Sequence, residues 1–350
     1  MDLLKDIAKK VCQSPTTVSK DIRWISGEHP KQPTKFFRVV PNLNETSLGL
    51  VTIDAFFEIS HLGKIKAMEK FCDDHPYTKY RARCFGQHSG LSVQFRVPYG
   101  TESYIKSLFS KLKSNGYIQG YSILPTVGNE SIFSVSRLEH WNSESFTWDF
   151  DWERWTRREV KQKVGMKSPE EVKIHLLSSR EINILTQLSY GARRKQIDII
   201  RALEKEGVKF TTQDFSRSYS LLNESFISNY MIFLDPEAFN LYSNVLLTGT
   251  GQNGFTSNLA ERMKKFPIPF RSTLRVNGEF FFWYLRLPPN HLSSVFDYLL
   301  ANVDELSTSL QDYQTSVAYG VWAGAFDDEK HDWNKDRNFI VDDPLAHMQK

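Results

Sequence analysis

The first forty residues predict two short helices joined by a tight turn. Ser14 is a preferred N-cap residue, and Pro15 suits the first turn of the helix that follows. Apolar residues recur at helical spacing on both sides of this turn: Ile7, Ala8, Val11, Val18, Ile22 and Ile25. Two short helices with this turn are typical of a helix-turn-helix.

Residues 36–126 alternate between strand and helix patterns. The β-rich stretches are 48–59, 77–85, 90–97 and 120–125, and the amphipathic helical stretches are 61–74 and 102–115. In chain order these elements give βαββαβ, the ferredoxin-like arrangement. We therefore predict that 36–126 forms an effector or dimerisation domain.

The same theme returns in the second half of the chain. Helical patterns within 178–228 predict a second, three-helix head, and 229–326 repeats the βαββαβ pattern with a hairpin at Asn277-Gly278. We predict an α+β fold in which two winged helix-turn-helix heads, the first at 1–35, alternate with two ferredoxin-like βαββαβ domains. Their two sheets would pack together, so that one chain mimics a dimer and could associate further.

Two other segments complete the predicted organisation. Residues 127–177 form a tryptophan-rich connector whose aromatic side chains we expect to be buried on a domain. Its basic residues Arg154, Arg157 and Arg158 leave a nucleic-acid stacking surface as the alternative. Residues 327–350 form a polar tail that we expect to be poorly ordered.

Composition narrows the class of protein. The 350 residues are 40% hydrophobic and 24% charged, with a formal net charge of +3, as in a soluble chain of two to four small domains. The three cysteines show neither metal-ligand nor disulfide spacing, and no signal core or membrane span is present. We expect a cytoplasmic protein without metal or cofactor, and we find no catalytic triad or paired-carboxylate pattern.

The segment IAKKVCQSPTTVSKDI resembles the helix-turn-helix of the leucine-responsive (Lrp/AsnC, feast–famine) transcription regulators. The matching residues are Ala8, Ser14, Pro15, Thr17 and Val18. We expect the first helix of that family to be absent or replaced, and because its members usually carry one unit per chain, this chain would be a duplicated form. The resemblance implies a non-enzymatic, sequence-specific regulator that binds double-stranded DNA and could respond to a small-molecule effector.

Under this interpretation, each head presents a DNA-binding face. Residues 1–40 contain eight Lys or Arg against four Asp or Glu, which supplies the local positive charge that phosphates require. The candidates in the first head are Ser14, Thr16, Thr17, Ser19, Lys20 and Arg23. Those in the second head are Lys209, Thr211, Gln213, Ser216 and Arg217, with Arg193, Arg194 and Lys195 beside them. A second head kept only for packing or dimerisation is the alternative.

Two other functions stay open. A group of tetrapyrrole-modifying enzymes, the siroheme decarboxylases, is similar in its head-plus-βαββαβ architecture, and that similarity implies a pocket lined by Arg83, His88, Trp283 and Tyr284. A metabolite sensor that acts through protein partners, without DNA contact, is the other alternative. The glycines Gly249, Gly251 and Gly254 superficially match a GxGxxG loop, but we interpret them as a turn because no parallel Rossmann sheet is predicted.

Overall fold

The computed structural model describes residues 4–27, 36–127, 131–160, 171–234, 242–251 and 254–348. Within these ranges the chain is α+β, with one antiparallel sheet of nine strands, three two-stranded sheets, and helices packed on the large sheet. None of the described helices is long and apolar enough to cross a membrane. The sequence had predicted an α+β class, and the structure agrees at that level.

The first half opens with two helices and a strand. Their bounds, and those of the elements that follow, are α1 (Leu4–Lys10), α2 (Pro15–Ile25), β1 (Phe37–Leu43), β2 (Leu50–Glu58), α3 (Leu62–Asp74), β3 (Thr78–Gly86), β4 (Gly90–Pro98), α4 (Glu102–Ser114), β5 (Gly120–Ile123), β6 (Ile132–Ser134), β7 (Trp141–Asn142), β8 (Thr147–Trp148) and α5 (Trp152–Thr156). Short 3₁₀ turns lie at Leu138–His140 and Ile174–Leu176.

The second half repeats the order of elements, now with three helices first. The bounds are α6 (Ser179–Ser189), α7 (Gln196–Lys205), α8 (Thr212–Ser225), β9 (Ile227–Leu234), β10 (Ser243–Gly251), α9 (Phe255–Lys265), β11 (Ser272–Asn277), β12 (Phe280–Leu287), α10 (Leu292–Leu300), β13 (Val303–Ala318), β14 (Phe326–Asp327), β15 (Asp332–Trp333) and α11 (Asp343–Met348), with 3₁₀ turns at Pro289–His291 and Ala323–Ala325 and a π-helical turn at Asn338–Asp342.

Local sequence signals explain several of these boundaries. The Ser14 hydroxyl accepts a hydrogen bond from the Thr17 amide at 3.0 Å, which caps α2. Ser178 and Glu181 form a capping box at the start of α6. The hairpin between β11 and β12 turns through Gly278, whose φ of +57° lies in the left-handed region that glycine adopts at little cost.

The strand order of the large sheet is β5-β2-β4-β3-β13-β10-β12-β11-β6. The two halves are joined by the long strand β13, which pairs with β10 over residues 303–310 and with β3 over residues 309–318. The pairing with β3 is irregular between Asp312 and Val317. The expectation of two separate sheets was therefore wrong, because one strand belongs to both halves. Asp54 on β2 and Arg275 on β11, near opposite ends of the order, form an ion pair, so the sheet curls round and its halves face each other.

The helices α3 and α4 cover the outer face of the first half, and α9 and α10 cover that of the second. Inside the curl, side chains from both halves meet in a smaller cluster: Phe56, Cys84, Leu124, Leu246 and Phe282. Strands β1 and β9 pair antiparallel in a separate ribbon, with Arg38 opposite Phe233. We call this pair of strands the β1–β9 ribbon.

Three tryptophans of the connector, Trp148, Trp152 and Trp155, are buried against the second half, as expected from the sequence, and Trp141 is partly buried beside them. The Trp155 indole nitrogen donates to the Phe266 carbonyl at 2.7 Å, and the Trp152 indole nitrogen donates to His291 Nδ1 at 3.0 Å. Arg154, Arg157 and Arg158 are exposed beside them. These tryptophans are therefore unavailable for nucleic-acid stacking.

The C-terminal segment is packed on the first half, which corrects the expectation of a poorly ordered tail. Trp333 is 2% exposed, and its indole nitrogen donates to the Leu48 carbonyl at 2.7 Å. The Tyr77 hydroxyl donates to the Asn334 carbonyl at 2.6 Å. The physical reason is that apolar residues are dispersed among the acids of this segment and are buried together: Phe326, Trp333, Ile340, Val341 and Leu345.

Candidate ligand-binding cavity

The residues predicted to bind DNA lie on two different helices. On α2, Thr16, Lys20 and Arg23 are exposed, Ser19 is half-buried, and Ser14 and Thr17 form the cap.

Around α8, Thr211 accepts from the Asp214 amide at 3.1 Å and caps the helix. The side chains of Lys209, Gln213, Ser216 and Arg217 are exposed, as are Arg193 and Lys195, whereas Arg194 donates to Gln187 Oε1 at 2.9 Å. None of these residues lines the cavity described next.

A cavity of about 310 Å³ lies between the concave face of the large sheet and the β1–β9 ribbon. Its volume is at the lower end of the roughly 300–1,000 Å³ found for small-molecule sites. The sheet contributes alternate residues, such as Ser92, Gln94 and Arg96 of β4, whereas the residues between them face the helices. Both halves of the chain and both strands of the ribbon line the cavity.

The lining is strongly cationic. Among its described residues Glu45 is the one acid, and the cations are Arg38, Lys79, Arg96, Arg271 and Arg275. A concave site with this imbalance attracts anions, because its low-polarity walls screen the positive charges poorly.

Three of these cations have carboxylate partners within the protein, although two of them share one carboxylate. Arg275 pairs with Asp54, and the two side chains are only 3% and 2% exposed. The Lys79 ammonium donates to Glu45 at 2.6 Å, and an Arg96 guanidinium nitrogen lies 3.9 Å from the same carboxylate. Burial would raise the pKa of Glu45, but the two cations outweigh it and lower that pKa to about 2. Burial also lowers the pKa of Lys79, despite the opposing effect of Glu45.

The other two cations, Arg38 and Arg271, have no carboxylate partner among the described residues. Both guanidinium groups stack on the ring of Phe233, with their central carbons 4.8 and 4.2 Å from its centroid. Arg271 Nη1 is buried and has no hydrogen-bond partner in the described part of the chain. A buried guanidinium nitrogen without an acceptor is costly, and an anionic ligand would supply that acceptor.

Seven of the other lining residues are aromatic: Tyr80, Phe133, Phe233, Phe282, Tyr284, Tyr313 and Tyr319. The Tyr284 hydroxyl donates to Asn244 Oδ1 at 3.0 Å. Burial raises the pKa values of Tyr80 and Tyr284, so both phenols stay protonated in the neutral range. The cavity therefore combines flat apolar surfaces with positive charge, which suits a planar ligand that carries carboxylates.

Of the four residues expected to line an enzymatic pocket, only Tyr284 does so. Trp283 points to the opposite face of the sheet and is fully buried, and Arg83 pairs with Glu69 at 2.8 Å. His88 stacks on Phe56 with ring centroids 4.0 Å apart, where burial lowers its pKa, but it does not line the cavity.

The glycine pattern has a packing explanation. A Cβ at Gly249 would lie 2.2 Å from the Glu305 carbonyl oxygen, and one at Gly251 would lie 2.4 Å from the Phe255 ring. These glycines therefore allow close contacts around β10, and Gly254, with a φ of +73°, precedes α9. Among the residues that the structure describes, no group of three or more potential metal ligands converges.

The fold and the cavity together define an α+β protein with a cavity whose described lining carries five cations and one acid. No family model and no curated protein matches the chain by sequence. Two solved structures match over nearly all of it. One is the siroheme decarboxylase NirDL in co-complex with an iron-uroporphyrin III analogue, at a TM-score of 0.53 and 8% identity, covering 99% of this chain and 93% of that one. The other is siroheme decarboxylase NirDL itself, at 0.52 and 9% identity, covering 99% and 94%.

These matches correct the leading interpretation of the sequence. The prediction of a DNA-binding transcription regulator, and the expectation that the chain is not an enzyme, were wrong, because two solved structures that match almost the whole chain are those of a decarboxylase. At such low identity the matches establish the fold alone. No family model supports the resemblance of the N-terminal segment to the Lrp/AsnC regulators, so that resemblance stays a prediction.

Proposed function

We propose that this chain binds a polycarboxylated tetrapyrrole in the cationic cavity and removes carboxylate groups from it as CO₂. The observation that carries the proposal is the set of five lining cations faced by a single lining acid, set among aromatic walls. A macrocycle with carboxylates around its rim has the matching chemistry: a flat apolar centre and a charged edge. The similar NirDL structure, which holds an iron-uroporphyrin III analogue, supports this class of ligand.

The reaction needs little covalent chemistry from the protein. The bond between a side-chain CH₂ and its carboxylate breaks, CO₂ leaves, and the electron pair that stays on the carbon takes a proton to give a methyl group. Cations that hold the unreacting carboxylates would orient the ring, and weakly polar walls favour loss of the localised carboxylate charge. Tyr80, Tyr284 and Tyr319 are lining phenols that burial keeps protonated, and they could supply the proton.

The proposal also interprets the architecture. We infer that the two halves are diverged copies of one unit, each a winged helix-turn-helix head followed by a ferredoxin-like domain. The repeated order of elements supports this inference. The single cavity between the halves would then be a site to which both copies of the unit contribute residues.

A second candidate is a tetrapyrrole sensor without turnover. The observation that favours it is the position of the β1–β9 ribbon, since each of its strands follows one of the heads and both line the cavity. A bound ligand would therefore contact the segments that connect to both heads.

One experiment separates the outcomes. Iron-uroporphyrin III, and a dicarboxylate porphyrin as the control, are titrated into the purified full chain while the Soret band is followed at low and high salt. We expect a shift with the polycarboxylate that weakens with salt, and weaker binding of the dicarboxylate. Mass spectrometry of the incubated ligand then tests for CO₂ loss. Binding without loss favours the sensor, and no Soret change at low salt overturns the tetrapyrrole proposal.

A further inference from the structure

The cations of the cavity do not have equal roles. Arg275 is held by Asp54 and by the Ser131 hydroxyl, to which its Nε donates at 2.7 Å. Lys79 and Arg96 share Glu45. Arg38 and Arg271 alone lack an internal carboxylate among the described residues that line the cavity, and they are the groups whose charge an incoming anion can neutralise without breaking an existing ion pair.

We propose that Arg38 and Arg271, stacked on Phe233, form the carboxylate-binding clamp of the cavity and tie its ligand to the β1–β9 ribbon. This inference rests on the proposed function and assigns residues to it. Arg38 and Phe233 are direct partners across the ribbon, whereas Arg271 comes from the sheet, immediately before β11. A carboxylate bound by both arginines would therefore bridge the ribbon and the large sheet.

The geometry favours a ligand-binding role over a purely structural one. A cross-strand Arg–Phe contact is a common way to cover a ring, and it would account for Arg38 alone. It does not account for a second guanidinium on the same ring, because two like charges on one ring repel each other. It also leaves the buried Arg271 Nη1 without an acceptor. An anion between the two arginines removes both penalties.

The planar fork of arginine also sets the class of ligand group. Two parallel N–H donors match the two oxygens of a carboxylate, whereas a lysine ammonium would act as a point charge. The clamp should therefore bind side-chain carboxylates of the macrocycle and should respond to the number of these groups.

The test compares Arg38→Gln, Arg271→Gln and Arg271→Lys with the wild-type chain, using iron-uroporphyrin III as the probe. Arg158→Gln is the matched control, since Arg158 stacks on Phe266 at 4.8 Å and is exposed outside the cavity. We expect each Gln variant to weaken binding by about tenfold to a hundredfold, the range for a lost charge-assisted hydrogen bond. Arg271→Lys should lose less, and Arg158→Gln should bind like wild type. The losses should shrink when the probe carries fewer carboxylates.

A second measurement tests the bridge itself. Hydrogen exchange of the amides in β1 and β9 should slow when the probe binds to the wild-type chain and should change little in Arg38→Gln. If the wild-type chain binds the probe and both Gln variants bind equally well, the clamp is overturned and the proposed function stands. If the wild-type chain does not bind the probe, the proposed function and the clamp fail together. If Arg271→Gln does not fold, Arg38→Gln and Arg271→Lys decide.

Discussion

Substitution of Asp54 tests whether its buried ion pair with Arg275 stabilises the curled form of the large sheet. Asp54 Oδ1 accepts from Gln94 Nε2 at 2.6 Å, and Oδ2 accepts from the Thr126 hydroxyl at 2.8 Å and from Arg275. Replacing Asp54 by Ala leaves the Arg275 cation in the interior with the Ser131 hydroxyl as its main described partner. Removing one member of a buried ion pair costs about 3–5 kcal/mol, because the other charge stays desolvated.

The assay is equilibrium urea unfolding followed by tryptophan fluorescence and by circular dichroism. The control is Asp74→Ala, whose ion pair with Lys70 is 49% and 76% exposed and which should cost no more than about 0.5 kcal/mol. The double variant Asp54→Ala/Arg275→Met should recover part of the loss, since no unpaired charge then remains buried. A loss below about 1 kcal/mol in Asp54→Ala would falsify the argument that this pair closes the sheet.

Three further predictions concern other parts of the molecule. Trp333→Ala should destabilise the chain by about 3–5 kcal/mol in urea unfolding, and a loss near zero would restore the interpretation of a loose tail. Burial lowers the pKa of His75 from 6.5 to about 4. Between pH 4 and pH 6.5, His75 is therefore protonated more fully in the unfolded chain than in the folded chain. Stability should therefore fall by up to about 3 kcal/mol as the pH drops from 6.5 towards 4, and His75→Gln should flatten this fall in unfolding measured across that range. Glu45→Gln frees Lys79, so iron-uroporphyrin III should bind up to about tenfold more tightly, whereas Glu204→Gln on the exposed face of α7 should not change the affinity.

The order of elements could be predicted because its signals are local. Helical spacing marks α3 and α4, alternation marks β3 and β4, and a hairpin signal marks the turn at Gly278. The single curled sheet could not be predicted in the same way. It depends on β13 extending beyond its pairing with β10 and pairing with β3. The register of such a long-range pairing cannot be read from the sequence of either strand alone.

Of the four residues expected to line a pocket, only Tyr284 lines the cavity, and the rest of the lining was missed because the sequence of a polar strand face does not show what covers it. Ser92, Gln94 and Arg96 alternate with buried apolar residues, a pattern equally typical of a solvated face. One signal was present: the run from Phe280 to Leu287 is almost continuously apolar, as in strands that are covered on both faces. This pattern therefore predicts that the face of β12 opposite the helices of the second half is also covered. The cavity lies on that face.

The way in which the halves hold each other explains why a single asymmetric site is possible. The connector buries Trp152 and Trp155 on the second half, and the C-terminal segment buries Trp333 on the first. Each half is therefore stabilised by a segment that follows the other, so neither can separate without exposing large aromatic side chains. Fixed in this way, the halves need not contribute equivalent residues to the cavity. One supplies Lys79 and Arg96 from β3 and β4, and the other supplies Arg271 and Arg275 from the region of β11. A chain built like this can hold one ligand in one orientation, which a symmetric pair of identical subunits could not enforce.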